Sequence, residues 1–158
     1  MTFLQYLLPQ HLLSKLMFRF ARIENIWIKN TFTNWFINKY QVNLAEAESG
    51  SISDYAHFND FFTRALKPQA RPISESAIIS PVDGVVSQAG KIKDSQILQA
   101  KGHHFSLSQL LSGESIEKIE NGHFATIYLA PKDYHRIHMP LDGKLVSMRY
   151  IPGNLFSV

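Results

Sequence analysis

At Pro68 and Pro72 the chain changes its periodicity, and this switch constrains the fold more than any other feature. Proline fixes φ and lacks an N–H, so a helix does not run through such a pair. Before the switch, apolar residues recur at helical spacing. From Ala77 onward they come in short runs: Ile78-Ile79, Val85-Val86, Ile97-Leu98, Phe124 to Leu129 and Lys144 to Ile151. Gly84, Gly90, Gly102, Gly113, Gly122, Gly143 and Gly153 punctuate them, the mark of strands and tight turns. The pattern predicts an α+β chain: N-terminal amphipathic helices (residues 1–40), a helical connector (41–76) and a mainly antiparallel β domain (77–158). A short helix through Leu107 to Leu111, capped by Ser106, is the expected exception among the strands. There is no internal repeat and no Gly-rich phosphate loop.

Charge separates the two ends. Residues 1–40 carry Lys15, Arg19, Arg22, Lys29 and Lys39 against one acid, Glu24, so the net charge of +3 is all N-terminal. In the same stretch Leu12, Leu13, Leu16, Met17 and Phe20 fall on one helical arc, with Ser14, Lys15, Arg19 and Arg22 largely opposite and Phe18 off the apolar face. A second helical run, Ile26 to Tyr40, carries Trp27, Phe32, Trp35, Phe36 and Tyr40; indole and phenol rings suit a water–lipid boundary. No segment has eighteen uncharged apolar residues, so no bilayer-spanning helix is expected. No charge precedes the first apolar run and no small-residue cleavage site follows it, so neither is a signal peptide. The pattern reads as a peripheral membrane anchor in which Leu12, Leu16 and Phe20 enter the lipid boundary and Lys15 and Arg19 meet anionic headgroups. Each basic residue near such a surface contributes about 1 kcal/mol and each buried Leu or Phe roughly 1.5–3 kcal/mol, so apolar burial dominates. The alternative is that these helices pack on the protein's own core. Nucleic acid is disfavoured, because the basic residues are interleaved with large aliphatics that a phosphate groove does not need.

The 158 residues, 45% of them hydrophobic, suffice for one core with an appendage. There is no cysteine, which excludes disulfides, a thiolate nucleophile and cysteine-ligated zinc. In the connector, Asn43-x-x-Glu46 has the form of a capping box, Ser49-Gly50-Ser51 that of a polar loop, and Phe58 to Leu66 that of a third helix whose Phe58, Phe61, Phe62 and Leu66 share a face.

Chemistry concentrates in two punctuated segments. Ala130-Pro131-Lys132-Asp133-Tyr134-His135-Arg136-Ile137-His138-Met139-Pro140 sets two histidines three apart between prolines, and histidine exchanges protons near neutral pH. Ser80-Pro81-Val82-Asp83-Gly84 offers a carboxylate at a tight turn, either to orient a histidine or only to close a hairpin. Side chains three apart on a strand point to opposite faces, so the histidines share a pocket only if the chain bends between them. From the residues alone, acid–base catalysis, a metal-dependent hydrolase with Asp83, His135 and His138 as ligands, and a non-catalytic membrane-surface domain all stand open. His103, His104 and His123 have no comparable context and read as strand-end or surface residues.

Four segments then occur in order: Ser80 to Gly84, Leu98-Gln99-Ala100-Lys101-Gly102-His103, Tyr128 to Pro140, and Pro152-Gly153-Asn154-Leu155-Phe156-Ser157-Val158. Together they resemble phosphatidylserine decarboxylases, pyruvoyl-dependent enzymes that form phosphatidylethanolamine and CO2. The resemblance runs over nearly the whole chain and is densest over 77–158. It implies a proenzyme that cuts itself at a Gly-Ser bond, the serine becoming a pyruvoyl group on a smaller α chain. That bond belongs to a Leu-Gly-Ser-Thr motif that this sequence lacks; its only Gly-Ser is Gly50-Ser51. The chain is therefore expected to be the N-terminal part of a β subunit, inactive alone.

The resemblance assigns His138 as the base that activates the serine and Asp83 as the carboxylate that orients it, the logic of a Ser-His-Asp triad. His135 serves turnover, as proton donor or electrostatic partner. Phe156 and Ser157 line the headgroup pocket, and no metal is required. The partners implied are phosphatidylserine, an anionic membrane surface and the α chain, with room for homo-oligomers of αβ units. The implied location is peripheral, on the cytoplasmic face of the cell membrane.

Overall fold

A computed structural model describes residues 9–93, 96–98, 104–113 and 116–153. The chain is α+β, with helices preceding strands, and it forms two compact units. One runs to Gly84 and takes in Leu129–Gly143; the other comprises Val85–Tyr128 and the chain from Lys144. The histidine segment thus belongs with the helices, although sequence order places it among the strands.

In the first unit, α1 (Gln10–Phe20) begins at Pro9, whose carbonyl accepts from Leu13 N–H, and has no buried residue. Phe18 is exposed beneath the Arg22 guanidinium, 3.6 Å from the ring centroid, and Phe20 meets Phe32 edge-on at 4.9 Å. Helix α2 (Ile26–Tyr40) starts where the Asn25 side chain accepts from Trp27 and Ile28 N–H, satisfying two donors that a helix start leaves open. It stops at Gln41 in the left-handed conformation. Phe36 from α2 packs with Val42, Tyr55 and Phe61 as the core, and Ile37, Tyr40, Leu44, Phe58 and Phe62 lie against it. Lys29, one of the five bases counted in residues 1–40, is buried with its ammonium on the carbonyls of Ile52 and Tyr55, at 3.1 and 2.7 Å.

The connector departs from its expected form in two places. Asn43 accepts from Ala45 N–H at 3.0 Å and no helix follows. This local turn competes with capping, and Glu46 is drawn instead to Arg71. After the 3-10 turn Ile52–Asp54, helix α3 spans only Phe58–Phe62 rather than reaching Leu66. Its start is closed reciprocally: His57 Nδ1 accepts from Asp60 N–H, and Asp60 Oδ2 accepts from Ala56 N–H. Past Thr63 the chain extends, and Leu66 bridges to Ala47. Backbone pairing with 46–48 there replaces the next helical turn.

In the second unit, β1 (Val85–Lys91) pairs antiparallel with β4 (His123–Tyr128). Between Val86 and Gln88 the register shifts, and the Ser87 hydroxyl donates across to Thr126 O, as at a bulge. Gly122 enters β4 by a turn in which any Cβ would lie 2.8 Å from the Ile119 carbonyl oxygen, so only glycine fits. β2 (Gln96–Leu98) pairs with β3 (His104–Ser106), followed by α4 (Leu107–Leu110) and α5 (Ile116–Ile119), the last not foreseen from the sequence. Ile78-Ile79 and residues 144–151 are not strands. Ile79 makes a single pairing, its N–H to Pro140 O, and 144–151 joins no ladder among the described residues. Alternating apolar residues become a strand only where a second backbone supplies partners for their N–H and C=O groups.

Candidate active site

The two punctuated segments come together. Ile79 N–H donates to Pro140 O at 2.9 Å and His138 N–H to Pro81 O at 2.8 Å, pinning the Asp83 turn to the histidine segment in antiparallel fashion. Asp83 and His138 both line a cleft of about 730 Å³ whose walls are mostly apolar, among them Leu66, Ile73, Ile78, Val82 and Met139. A cleft of this size with few polar groups has the makings of a small-molecule site.

Asp83 and His138 each have another partner. The His138 Nε2 shares a hydrogen bond with the Tyr134 hydroxyl at 2.9 Å, and the two rings stack with centroids 5.5 Å apart. A phenol is the better donor and a neutral imidazole the better acceptor, so this contact favours the imidazole with its hydrogen on Nδ1. Asp83 Oδ2 accepts from Arg71 Nε at 2.6 Å, and Arg71 Nη2 reaches Glu46 Oε2 at 2.9 Å. These hydrogen bonds, that to Glu46 first, raise the Arg71 pKa above its ordinary value. With Oδ2 held by Arg71, Oδ1 is the oxygen that can serve an imidazole.

His135 has different surroundings and is not part of the cleft lining. Its ring stacks on Phe62 with centroids 4.1 Å apart, and its Nε2 lies 3.0 Å from Ala130 O. A carbonyl only accepts, so Nε2 carries the hydrogen and Nδ1 of the neutral ring is left for proton traffic. The turn read at Pro131 to Tyr134 lies before both histidines, with Asp133 N–H donating to Ala130 O at 2.9 Å and Asp133 Oδ2 accepting from Ala130 N–H at 2.6 Å, and the two do not share the cleft. Asp83, His135 and His138 do not converge, and among the described residues no group of three His, Asp or Glu side chains forms a metal-ligand set. Phe156 and Ser157 lie outside the described residues.

Sequence reasoning missed Arg71, Tyr134, Phe62 and Arg64. Tyr134 stood inside the motif and signalled itself only as a hydroxyl four residues before a histidine. Arg64 and Arg71 stood in a stretch read as helix end and proline break. Arg64 is buried, and burial lowers its guanidinium pKa, against the nearby Tyr55, Glu46 and Asp133.

Comparison with known proteins shows what the chain is similar to. The family model described as phosphatidylserine decarboxylase matches residues 58–158, and one described as PSD matches residues 1–41. Among curated proteins, the chain is 55% identical to the phosphatidylserine decarboxylase proenzyme of Methylobacillus flagellatus, over 98% of this chain and 56% of that protein. It is 56% identical to that of Pseudomonas putida, over 98% of this chain and 55% of that protein, and 53% identical to that of Shewanella amazonensis, with the same coverage. The chain spans about half the length of the curated relatives it matches. With a family model over most of its length, and with the Asp83 and His138 segments pinned together over one cleft, the chain belongs to the phosphatidylserine decarboxylase family.

Proposed function

We propose that this chain is part of a phosphatidylserine decarboxylase that forms phosphatidylethanolamine and CO2 through a pyruvoyl group made by self-cleavage at a serine outside this segment. The observation that carries the reading is the pinning of the Asp83 turn onto His138 at one cleft. The donor set fits such a group: a carboxylate and an imidazole stand at an apolar cleft, and a second histidine lies three residues away. A pyruvoyl carbonyl supplies an electron sink for loss of a carboxylate. The chain's own work is to move protons and hold groups. His138 takes the proton of the attacking serine hydroxyl on Nε2, where that hydroxyl replaces the Tyr134 hydrogen bond, Asp83 steadies the imidazolium that results, and His135 handles a proton at Nδ1 during turnover.

The partners in this proposal are an α chain carrying the pyruvoyl group, homo-oligomers of such αβ units, and the anionic cytoplasmic face of the cell membrane. Among the described residues no helix is long and apolar enough to cross a membrane. Support for a surface anchor comes from α1, whose Leu12, Leu16 and Met17 are about half exposed alongside Lys15 and Arg19. Replacing Leu12, Leu16 and Met17 by serine tests this without disturbing Phe20, which meets Phe32. Loss of liposome binding is expected, and retained binding overturns the anchor.

Mass spectrometry of the full-length protein tests the chemistry. Two chains, a carbonyl-blocked α terminus and CO2 release from phosphatidylserine are expected. An uncut, inactive protein, or activity that follows bound zinc, overturns it.

A further inference from the structure

We infer that Arg64 is a positioning residue for His135, holding from beneath the turn on which that histidine is mounted. This rests on the reading of His135 as a residue of turnover. Arg64 is 3% exposed, and its Nη2 donates to Lys132 O at 3.1 Å and to Asp133 O at 3.4 Å, across 68 and 69 residues of sequence. Those carbonyls belong to the turn whose Ala130 O receives the His135 Nε2 hydrogen. Two further contacts tie the same pieces of chain together. Phe62 stacks on the His135 ring, and Arg136 Nε donates to Thr63 O at 2.7 Å. The residues at the end of α3 therefore grip the histidine segment at its turn, its ring and its following residue.

Energetics indicate that stability alone does not explain this arginine. Its Nε and Nη1 are buried with no hydrogen-bond partner among the described residues. A buried charge so incompletely satisfied is costly, and replacing such groups by apolar residues of similar volume is often neutral or stabilising. What a guanidinium offers that an apolar side chain does not is a donor whose direction is fixed by a planar group: its Nη2 alone reaches two consecutive carbonyls. The Phe61 ring, 5.4 Å from the guanidinium carbon, supports the group from one side. Rotating the turn would carry Ala130 O away from Nε2 and release the ring to its other tautomer, with the wrong nitrogen free.

The test uses the full-length protein with Arg64→Met and Arg64→Lys. Arg64→Met is expected to keep or raise the melting temperature and to cleave itself normally. Its turnover per pyruvoyl group should fall about 10- to 100-fold, in kcat rather than KM, the scale of losses from misplacing a reacting group. Arg64→Lys, which keeps the charge and loses the fixed aim of the planar donor, should fall by less. In a His135→Ala background Arg64→Met should cost nothing more, since it acts through that ring. Nitrogen NMR of labelled His135 should show the Nε2–H form giving way to a mixture in both variants, a readout that needs no activity. Turnover and tautomer both unchanged in Arg64→Lys or in a folded Arg64→Met would overturn the inference, as would losses that multiply with His135→Ala. If Arg64→Met does not fold, Arg64→Lys and its NMR decide. An unmutated protein without decarboxylase activity would count against the proposed function, while the tautomer measurement would still judge Arg64.

Discussion

His135 and His138 stand three residues apart on one segment yet belong to different neighbourhoods. His138 is at the cleft, bonded to Tyr134 and pinned beside a turn whose carboxylate is held by the exposed Arg71–Glu46 pair. His135 is set against the aromatic core, stacked on Phe62 and bonded to a backbone carbonyl. One ring can reach groups brought into the cleft; the other is mounted on a rigid base. One short motif thus supplies two protein environments, and division of labour between self-cleavage and turnover is the consequence to test.

The largest expected effect is on the cleft side. In the full-length protein His138→Ala and Asp83→Ala should each leave the precursor uncut on a denaturing gel. A variant that cleaves at the normal rate removes its residue from the cleavage machinery and breaks the contrast. Next, His135→Ala should be cut but decarboxylate about 10²–10⁴-fold more slowly, the usual contribution of a general acid or base. Full turnover by the cleaved variant would leave His135 a packing residue.

Tyr134→Phe sharpens the comparison at smaller scale. It keeps the stacked ring and removes the 2.9 Å bond, at a stability cost of about 0.5–1.5 kcal/mol. Cleavage should slow several-fold while turnover of protein already cleaved is preserved. Equal losses in both steps would show that the two histidines are not separately supported.

The smallest effect lies under the His135 side. Tyr55 packs on Phe61 and donates its hydroxyl to Ser49 O at 2.8 Å. Burial raises its pKa above the ordinary 10.0, with Arg64 acting in the opposite direction. A raised pKa means that the native state binds the proton more tightly. The contribution is therefore complete below pH 10 and is lost as pH rises through the native value. Tyr55→Phe should cost about 0.5–1.5 kcal/mol in urea melts at neutral pH and flatten the loss of stability above pH 10. An unaltered alkaline limb would show that another group governs it.

How much of this was legible depended on the range of the interactions. Helix α2 followed from its run of apolar and aromatic residues, and β1, β2 and β4 from short apolar runs between glycines. The end of α3 was misjudged because Phe58 to Leu66 keeps a helical face, while pairing of Leu66 with Ala47 outweighs it. Asn43 misled because one side chain can open a helix or close a turn, and backbone context chooses. Residues 144–151 keep a strand's pattern without a ladder among the described residues, because a strand requires a second backbone.

The sequence by itself determined the order of helices before strands, the family, and Asp83, His135 and His138 as the residues of interest, because these rest on local periodicity and on ordered motifs. Only the tertiary structure decided what each of them touches. The Arg64 grip on the histidine turn, the Arg71 hold on Asp83 and the seating of the two histidines against different neighbours span up to 73 residues. Such contacts arise when packing of Phe36, Tyr55 and Phe61 brings distant backbone together. No local pattern encodes which carbonyl a buried guanidinium will find.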